Sequence, residues 1–216
     1  MAIYQTEFFG NTTLGLVGVC TENMCYLPPE VPKRQMERIS KTLGTPTKNL
    51  VLYNSFLLGL FCSANSGHAF IPHSIQKEEA EKITEKKAVR LAGVFNTIGN
   101  LILCNDKGCL LSPYLGAKKA YFEEKLGLKT NIVTIANLPF PGIGACATNT
   151  GCLVHKNALD AEIGIIEKTL GVEAKRCEFY EGFPGTEILG NSKGLIVSKL
   201  IRGQVLAEIQ EGLKVF

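Results

Sequence analysis

The chain has 216 residues, 45% of them hydrophobic and 20% charged, so it is long and apolar enough to bury a core and is not disordered. Lys and Arg exceed Asp and Glu by three, which falls well short of the basic stripe of a dedicated nucleic-acid binder. The N-terminus lacks a basic region followed by an apolar run, and nothing approaches about 18 consecutive apolar residues. We therefore expect neither secretion nor membrane spanning, but a cytoplasmic protein whose eight cysteines stay thiols.

Elements that resemble one another recur along the whole chain. Four cysteines stand 42 residues apart, and a further step of the same size falls on Ile188: the cysteines are Cys20, Cys62, Cys104 and Cys146. A turn and a short apolar run follow each of these positions, and the turns are anchored at Asn23, Gly67, Gly108, Gly151 and Gly194. Glycine and asparagine enter the left-handed region most readily, so we expect that conformation at the anchors. The repeat predicts five copies of one structural unit.

Each unit is predicted to fold as strand, turn, strand, helix and strand within a single α/β domain. The approximate boundaries are 11–54, 55–96, 97–138, 139–182 and 183–216. Leu-Gly pairs at 43–44, 126–127 and 170–171 are typical of helix ends. Asn157 is expected to cap the fourth helix. The charged segment 76–87 is interpreted as an outer helix. The third strands are expected within 49–54, 88–96, 131–137 and 174–182. The fifth unit lacks a third strand, and the segment Ile3 to Phe9 could supply it and close the units into a ring.

The repeated cysteines favour packing over chemistry. A catalytic or metal-binding cysteine is needed once, whereas these recur at equivalent positions and tolerate Ile188. The cysteines in the second strand of each unit lack the spacing of a zinc site, and the three histidines have no partner at a fixed spacing. The segment FPGIGA lacks the Lys-Ser/Thr ending of a phosphate loop. We therefore predict no catalytic residue, metal or cofactor. Four asparagines at the joints between units are interpreted as structural, with the lining of a central channel or a docking rim as the alternative: Asn11, Asn54, Asn96 and Asn137.

Four sequence segments carry a resemblance to a known family. They are CSANSGHAFIP at 62–72, GNLILCNDKGCLLSP at 99–113, GCLVH at 151–155 and PGTEILGNSKGLIVS at 184–198. In their order and spacing they resemble the ribosome anti-association factors, the family of archaeal translation initiation factor 6. The resemblance implies a closed fivefold α/β propeller, the pentein fold. It also implies a monomer that binds the large ribosomal subunit near the sarcin-ricin loop, excludes the small subunit, and is released by a separate GTPase.

The resemblance also implies where the ribosome would be bound. In the family, the ribosome-facing surface comes from the strands around the axis and their turns. Matching positions here are Gly15, Leu60, Asn65, Asn100, Ala145, Glu187 and Ile188. Several of these residues are small or polar, which suits close backbone approach and hydrogen bonding to a protein and RNA surface.

An enzyme is the alternative from another class. Guanidine-modifying hydrolases and amidinotransferases resemble the same architecture and use a nucleophilic cysteine near the C-terminal end. This chain has no cysteine after Cys177. One fast-reacting thiol of low pKa would favour the enzyme, and slow uniform reactivity would favour the ribosome-binding factor.

Overall fold

Five three-stranded sheets form the framework of the protein, whose computed structural model describes residues 2–83, 87–179 and 182–216. In each sheet the middle strand pairs antiparallel with the first strand of its hairpin and parallel with a third strand. The strands are β1 (Ile3–Thr6), β2 (Val19–Cys20), β3 (Cys25–Leu27), β4 (Thr47–Asn49), β5 (Ser63–Ala64), β6 (His68–Pro72), β7 (Lys87–Leu91), β8 (Ile102–Cys104), β9 (Cys109–Leu111), β10 (Thr130–Ile132), β11 (Ala145–Ala147), β12 (Cys152–His155), β13 (Ala174–Cys177), β14 (Ile188–Gly190) and β15 (Leu195–Ser198). This arrangement confirms the α/β class and the five copies, while the unit boundaries stay a prediction.

The N-terminal strand belongs to the last sheet. β1 pairs in parallel with β15 from Ile3↔Leu195 to Thr6↔Ser198, so it supplies the third strand that the fifth unit lacks. The expected strand was longer, but Phe8 lies beyond β1 and pairs with Asn11 in a tight reversal into the first unit.

The core consists of five apolar clusters, each shared by two units. Alternate side chains of a strand point to opposite faces, so neighbouring residues of a middle strand enter different clusters. In β3, for example, Tyr26 packs with the second unit, whereas Leu27 packs with Ile196 of the fifth. The same alternation holds for Phe70 and Ile71, Leu110 and Leu111, Leu153 and Val154, and Ile196 and Val197. Burial on both faces explains why these strands are continuous apolar runs.

Four outer helices or helical segments cover the sheets at the expected places, and a fifth is much shorter than predicted. Their bounds are α2 (Lys33–Leu43), α4 (Lys77–Ala80), a 3₁₀ turn (Pro113–Lys118) continuing into α6 (Lys119–Leu126), α8 (Asp160–Leu170) and α10 (Gln204–Leu213). The helix expected at 76–87 was wrong in length, because α4 has one turn and Lys87 already belongs to β7; residues 84–86 lie outside the described residues. Gly44, Gly127 and Gly171 close their helices in the left-handed conformation, as predicted.

Two predictions about local structure were wrong. Asn157 does not cap α8, which begins after Leu159; Glu162 reaches back and accepts the Leu159 N–H at 2.8 Å. The turn glycines do not adopt positive φ. Gly194 is needed because a Cβ there would lie 2.0 Å from the Thr42 carbonyl oxygen of α2. Gly108 and Gly151 likewise lie close to the helix ends of the following unit.

The four third strands are shorter than predicted, and three of them start one or two residues earlier. β4 covers 47–49 rather than 49–54, and β10 covers 130–132 rather than 131–137. Beyond them the chain turns tightly into the next unit, with positive φ at Asn54 and Asn137. The last prediction, 174–182, corresponds to β13 over 174–177, and residues 180–181 lie outside the described residues. None of the helices formed by the described residues is long and apolar enough to cross a bilayer.

Candidate functional site

Five one-turn helices surround a common centre, a feature that the sequence analysis missed. They are α1 (Leu14–Val17), α3 (Leu58–Phe61), α5 (Ile98–Leu101), α7 (Pro141–Gly144) and α9 (Pro184–Glu187), and each enters the first strand of its unit. Each helix contacts the next, and α9 contacts α1. Five small elements of widely separated sequence thus form one continuous surface.

A glycine in each short helix makes this contact possible. We call the five residues the glycine ring: Gly15, Gly59, Gly99, Gly142 and Gly185. A Cβ on any of them would lie 1.8 to 2.1 Å from the carbonyl oxygen of the preceding ring member, with Gly185 preceding Gly15. A side chain cannot be accommodated at that distance, so only glycine lets the five backbones meet. The recurrence of these glycines every 40 to 44 residues was the sequence signal for the feature.

The residue after each ring glycine is partly exposed. We call these residues the rim, and together with the glycine ring they form the axial face: Leu16, Leu60, Asn100, Ile143 and Thr186. Three rim side chains are aliphatic and two are polar, and none is charged. Such a surface suits shape complementarity and hydrogen bonding better than attraction of an anion.

A cavity of about 110 Å³ lies beneath the axial face. Four of the seven predicted ribosome-binding residues line it: Gly15, Asn100, Ala145 and Ile188. Ala145 and Ile188 are buried, whereas Gly15 and Asn100 are partly exposed. Leu60 lies next to this cavity on the rim. The structure therefore brings five of the predicted residues together, three of them at an accessible surface.

The other two predicted residues lie elsewhere. Asn65 is only 4% exposed and sits at the opposite end of the first strand, where its side chain shapes a hairpin turn. Glu187, 9% exposed, faces a separate cavity of about 390 Å³ that Phe179, Leu200 and Arg202 also line. Burial raises the pKa of Glu187, although a hydrogen bond with the Ser198 side chain opposes the shift.

At the hairpin-turn end, asparagine side chains join neighbouring units. Asn105 accepts the N–H groups of Lys107 and Gly108 and donates to the carbonyls of Thr148 and Leu170. Asn191 repeats this pattern in the fifth unit, where it donates to the carbonyls of Thr21 and Leu43 in the first unit. Asn65 donates to the Asn105 carbonyl at 3.2 Å. These buried amides satisfy helix-end carbonyls that would otherwise lack partners.

The cysteines show the features of packed thiols. Six of the eight are buried, and the two that are half-buried, Cys20 and Cys146, lie in the wall of the axial cavity. A hydrogen bond with Cys25 and burial raise the pKa of Cys20 well above its usual value, and burial raises the pKa of Cys146 to about 12. Burial, with Glu208 beside it, also raises the pKa of Cys177 to about 12. Protonated thiols are poor nucleophiles, which is the opposite of what a catalytic cysteine requires.

Metal ligands do not cluster in the part of the chain that the structure describes. His68 stacks on Phe70, and burial, together with the nearby Lys87 charge, lowers the pKa of His68. His155 stacks on Phe183 with ring centroids 5.1 Å apart. Both imidazoles therefore have packing roles.

The sequence of this chain is similar to those of known proteins. A family model described as the eIF-6 family matches residues 3–184. The chain belongs to the eIF-6 family. Relatives named translation initiation factor 6 include those of Methanococcus maripaludis, 32% identical over 98% of each chain, and Methanocaldococcus jannaschii, 32% identical over 98% of this chain and 97% of the relative. The relative from Pyrococcus horikoshii is 30% identical over 99% of each chain.

Membership of the eIF-6 family confirms the resemblance derived from the repeated segments. It also favours the initiation factor over the alternative of a guanidine-modifying enzyme, in agreement with the raised pKa values of the thiols. In this eIF-6 family chain, the axial face is therefore the strongest candidate for a docking surface.

Proposed function

We propose that this protein is a translation initiation factor that binds the large ribosomal subunit near the sarcin-ricin loop and prevents association with the small subunit. The relatives' shared name, translation initiation factor 6, and their end-to-end similarity support a role in translation initiation. In this proposal the protein acts in the cytoplasm as a monomer, without a cofactor, and a separate GTPase releases it.

The glycine ring is the observation that carries the proposal. Glycine lets the five backbones meet, and because the ring residues are partly exposed, a partner can contact their main-chain atoms within the uncharged rim. Among the predicted residues, Gly15, Leu60 and Asn100 would contact the subunit directly. Ala145 and Ile188 would support the face from beneath, and the buried Asn65 and Glu187 would hold neighbouring elements in position.

The proposal includes a closed fivefold propeller of the pentein type. Among the described residues, strand hydrogen bonds do not run from one sheet to the next, so closure depends on apolar packing and on side-chain hydrogen bonds between units. Support comes from the five shared apolar clusters and from contact between the first and last units through α1 and α9. Hydrogen bonds from Ser192 to the Glu22 carboxylate join the same two units.

Cosedimentation with purified large and small subunits tests the proposal. We expect binding to the large subunit and inhibition of subunit joining. Changing Asn100 to Arg places a long charged side chain on a closely approached face, so it should weaken binding about tenfold or more while the protein stays folded. Binding to the small subunit alone would overturn the proposed function.

A charge change on an outer helix is the matched control. Glu124 is exposed on α6, and Glu124→Lys should bind the subunit like the wild type. Glu79 is unsuitable for this purpose, because its carboxylate accepts the N–H groups of Tyr53 and Asn54 at 3.1 and 3.3 Å. If Glu124→Lys lost binding and Asn100→Arg kept it, the docking surface would not be the axial face.

A further inference from the structure

The net positive charge of the chain comes from one helix. α2 carries four cations and one carboxylate, an excess of three that equals the excess of the entire chain. By contrast, α8 carries three carboxylates and one lysine, and α10 carries two carboxylates and no cation. A mildly charged protein therefore presents one strongly basic face.

The four cations of α2 are exposed on the surface of the helix. We call them the basic face: Lys33, Arg34, Arg38 and Lys41. Among residues 2–83, 87–179 and 182–216, none of the ion pairs includes a member of this face. Arg38 packs over the Tyr4 ring at 4.7 Å, whereas the other three cations have no such contact among the described residues.

The position of two cations works against the stability of the helix. Lys33 and Arg34 occupy the first turn of α2, which contains no acidic residue. Positive charge at a helix N-terminus opposes the helix dipole and destabilises the helix, and α8 shows the favourable alternative with Asp160 and Glu162. Residues that lower stability without an internal compensation point to a partner outside the molecule.

A groove beside α2 supplies further polar groups. It has a volume of about 760 Å³, and its polar lining consists of two cations, one carboxylate and three neutral groups: Lys33, Lys41, Glu37, Ser40, Thr47 and Asn49. Ammonium groups flanked by hydroxyl and amide groups fit a ribose-phosphate backbone, where phosphates pair with cations and 2′-hydroxyls accept or donate hydrogen bonds.

The first turn of α2 lies at the axial-face end of the molecule. The last turn of the helix contacts Gly194, which belongs to a hairpin turn at the opposite end. The helix is about 16 Å long at 1.5 Å per residue, so Lys33 and Arg34 reach toward the level of the short helices. One partner could therefore cover both surfaces.

We infer that the basic face binds the phosphate backbone of RNA when the axial face docks on the large ribosomal subunit, an inference that rests on the proposed function. The axial face supplies uncharged, close contact, and α2 supplies the electrostatic contact beside it. Because only three or four phosphates would be neutralised, subunit binding should depend on salt less steeply than for a protein that neutralises about six to ten.

Two variants of equal net charge test the inference. In the first, Lys33, Arg34 and Lys41 are changed to Gln, and Arg38 is retained because of its contact with Tyr4. In the control, three exposed cations on other elements are changed to Gln: Lys82, Lys125 and Lys168. Large-subunit affinity is measured by cosedimentation over a range of salt concentrations.

The first variant should bind more weakly at low salt, and its slope of log affinity against log salt should be smaller by about 2–3, since each lost phosphate contact removes about 0.7–0.9. The control should keep the wild-type slope. Equal slopes for the two variants would overturn the inference and leave the proposed function intact. Failure of the wild type to bind the large subunit would instead overturn the proposed function.

Binding of a short RNA duplex at low salt provides a second measurement that does not depend on the subunit. Wild type and control should bind it equally, and the first variant should bind at least about tenfold more weakly. Loss of subunit affinity without any difference toward the duplex would indicate an acidic protein partner and overturn the assignment to RNA. Equal duplex binding by both variants would overturn it as well.

Discussion

The buried carboxylate of Glu162 accepts hydrogen bonds from four groups in neighbouring segments. It accepts the Thr134 hydroxyl at 2.6 Å and the backbone N–H groups of Leu159, Ala136 and Asn137 at 2.8, 2.8 and 3.2 Å. The same side chain therefore caps α8 and fixes the left-handed turn at Ala136 and Asn137. Burial alone would raise the pKa of Glu162, but these hydrogen bonds to the charged form outweigh it and lower the pKa.

Glu162 and Glu187 should respond in opposite directions to neutralisation. Glu162→Gln should lower the free energy of unfolding at neutral pH by about 1–3 kcal/mol, because hydrogen bonds to a carboxylate are lost. Glu187→Gln should raise it, because the burial that raises the pKa of Glu187 disfavours its charged form. Urea unfolding of both variants and the wild type gives the comparison.

The pH dependence of these two effects follows from the pKa directions. An unfolded glutamate titrates near 4.3. The lowered pKa of Glu162 gives stability that is present above that value and is lost as pH falls through the folded pKa. The raised pKa of Glu187 gives stability below about 4.3 that is lost as pH rises through the folded pKa. The difference in free energy of unfolding between the wild type and each variant should therefore be largest at neutral pH and become smaller in acid. Differences that do not vary with pH would refute this account.

Among the secondary-structure elements, the one-turn helices are the most constrained. A helix of four residues has little stability of its own, so its position depends on neighbours. In α5, Gly99 lies against the Gly59 carbonyl on one side, and its own carbonyl lies against Gly142 on the other. Substitution of one ring glycine should therefore disturb two junctions.

Two glycine substitutions separate this effect from ordinary helix propensity. Gly99→Ala should lower the free energy of unfolding by about 3 kcal/mol or more, because its Cβ would meet backbone atoms that cannot move independently. Gly164→Ala, on the exposed surface of α8 with no atom within 4 Å of its Cβ, should raise it by about 0.5–1 kcal/mol. Urea unfolding measures both; equal effects would show that the ring contacts do not matter for stability.

Across the whole molecule, stability depends on joining the first and last units. β1 pairs with β15, and the buried Phe8 packs in the cluster shared by Leu27 and Ile196. These contacts connect residues separated by nearly the full length of the chain, so forming them carries a high loop-closure entropy cost.

Deletion of residues 1–9 should remove this junction. We expect a fall in melting temperature of at least about 10 °C or failure to fold, because the strand and a buried ring are lost together. Removal of Phe216, which is 89% exposed, is the control and should change the melting temperature little. Equal melting temperatures for the two truncations would contradict closure through the N-terminal strand.

Much of the fold could be predicted from the sequence, because the same local patterns recur five times. The turn spacing, the middle strands and the Leu-Gly helix ends depend on residues close together in the chain. The pairing of the N-terminal strand is long-range, but it was predictable because the fifth unit lacks a third strand. The candidate site was only partly predictable. All seven site residues were predicted to share one surface. Leu60 and Asn100 lie on the axial face, whereas Asn65 and Glu187 are buried elsewhere, because burial depends on a neighbouring unit.

Periodicity and turn chemistry in the sequence by itself therefore determined the number of units and their α/β character. They also determined that the N-terminal strand completes the fifth unit. Only the tertiary structure decided why the glycines are required. The turn glycine at 194 serves close packing against α2 rather than positive φ, and the ring glycines let five backbones meet. Both requirements come from a carbonyl oxygen about 40 residues or more away along the chain, beyond the reach of any local pattern.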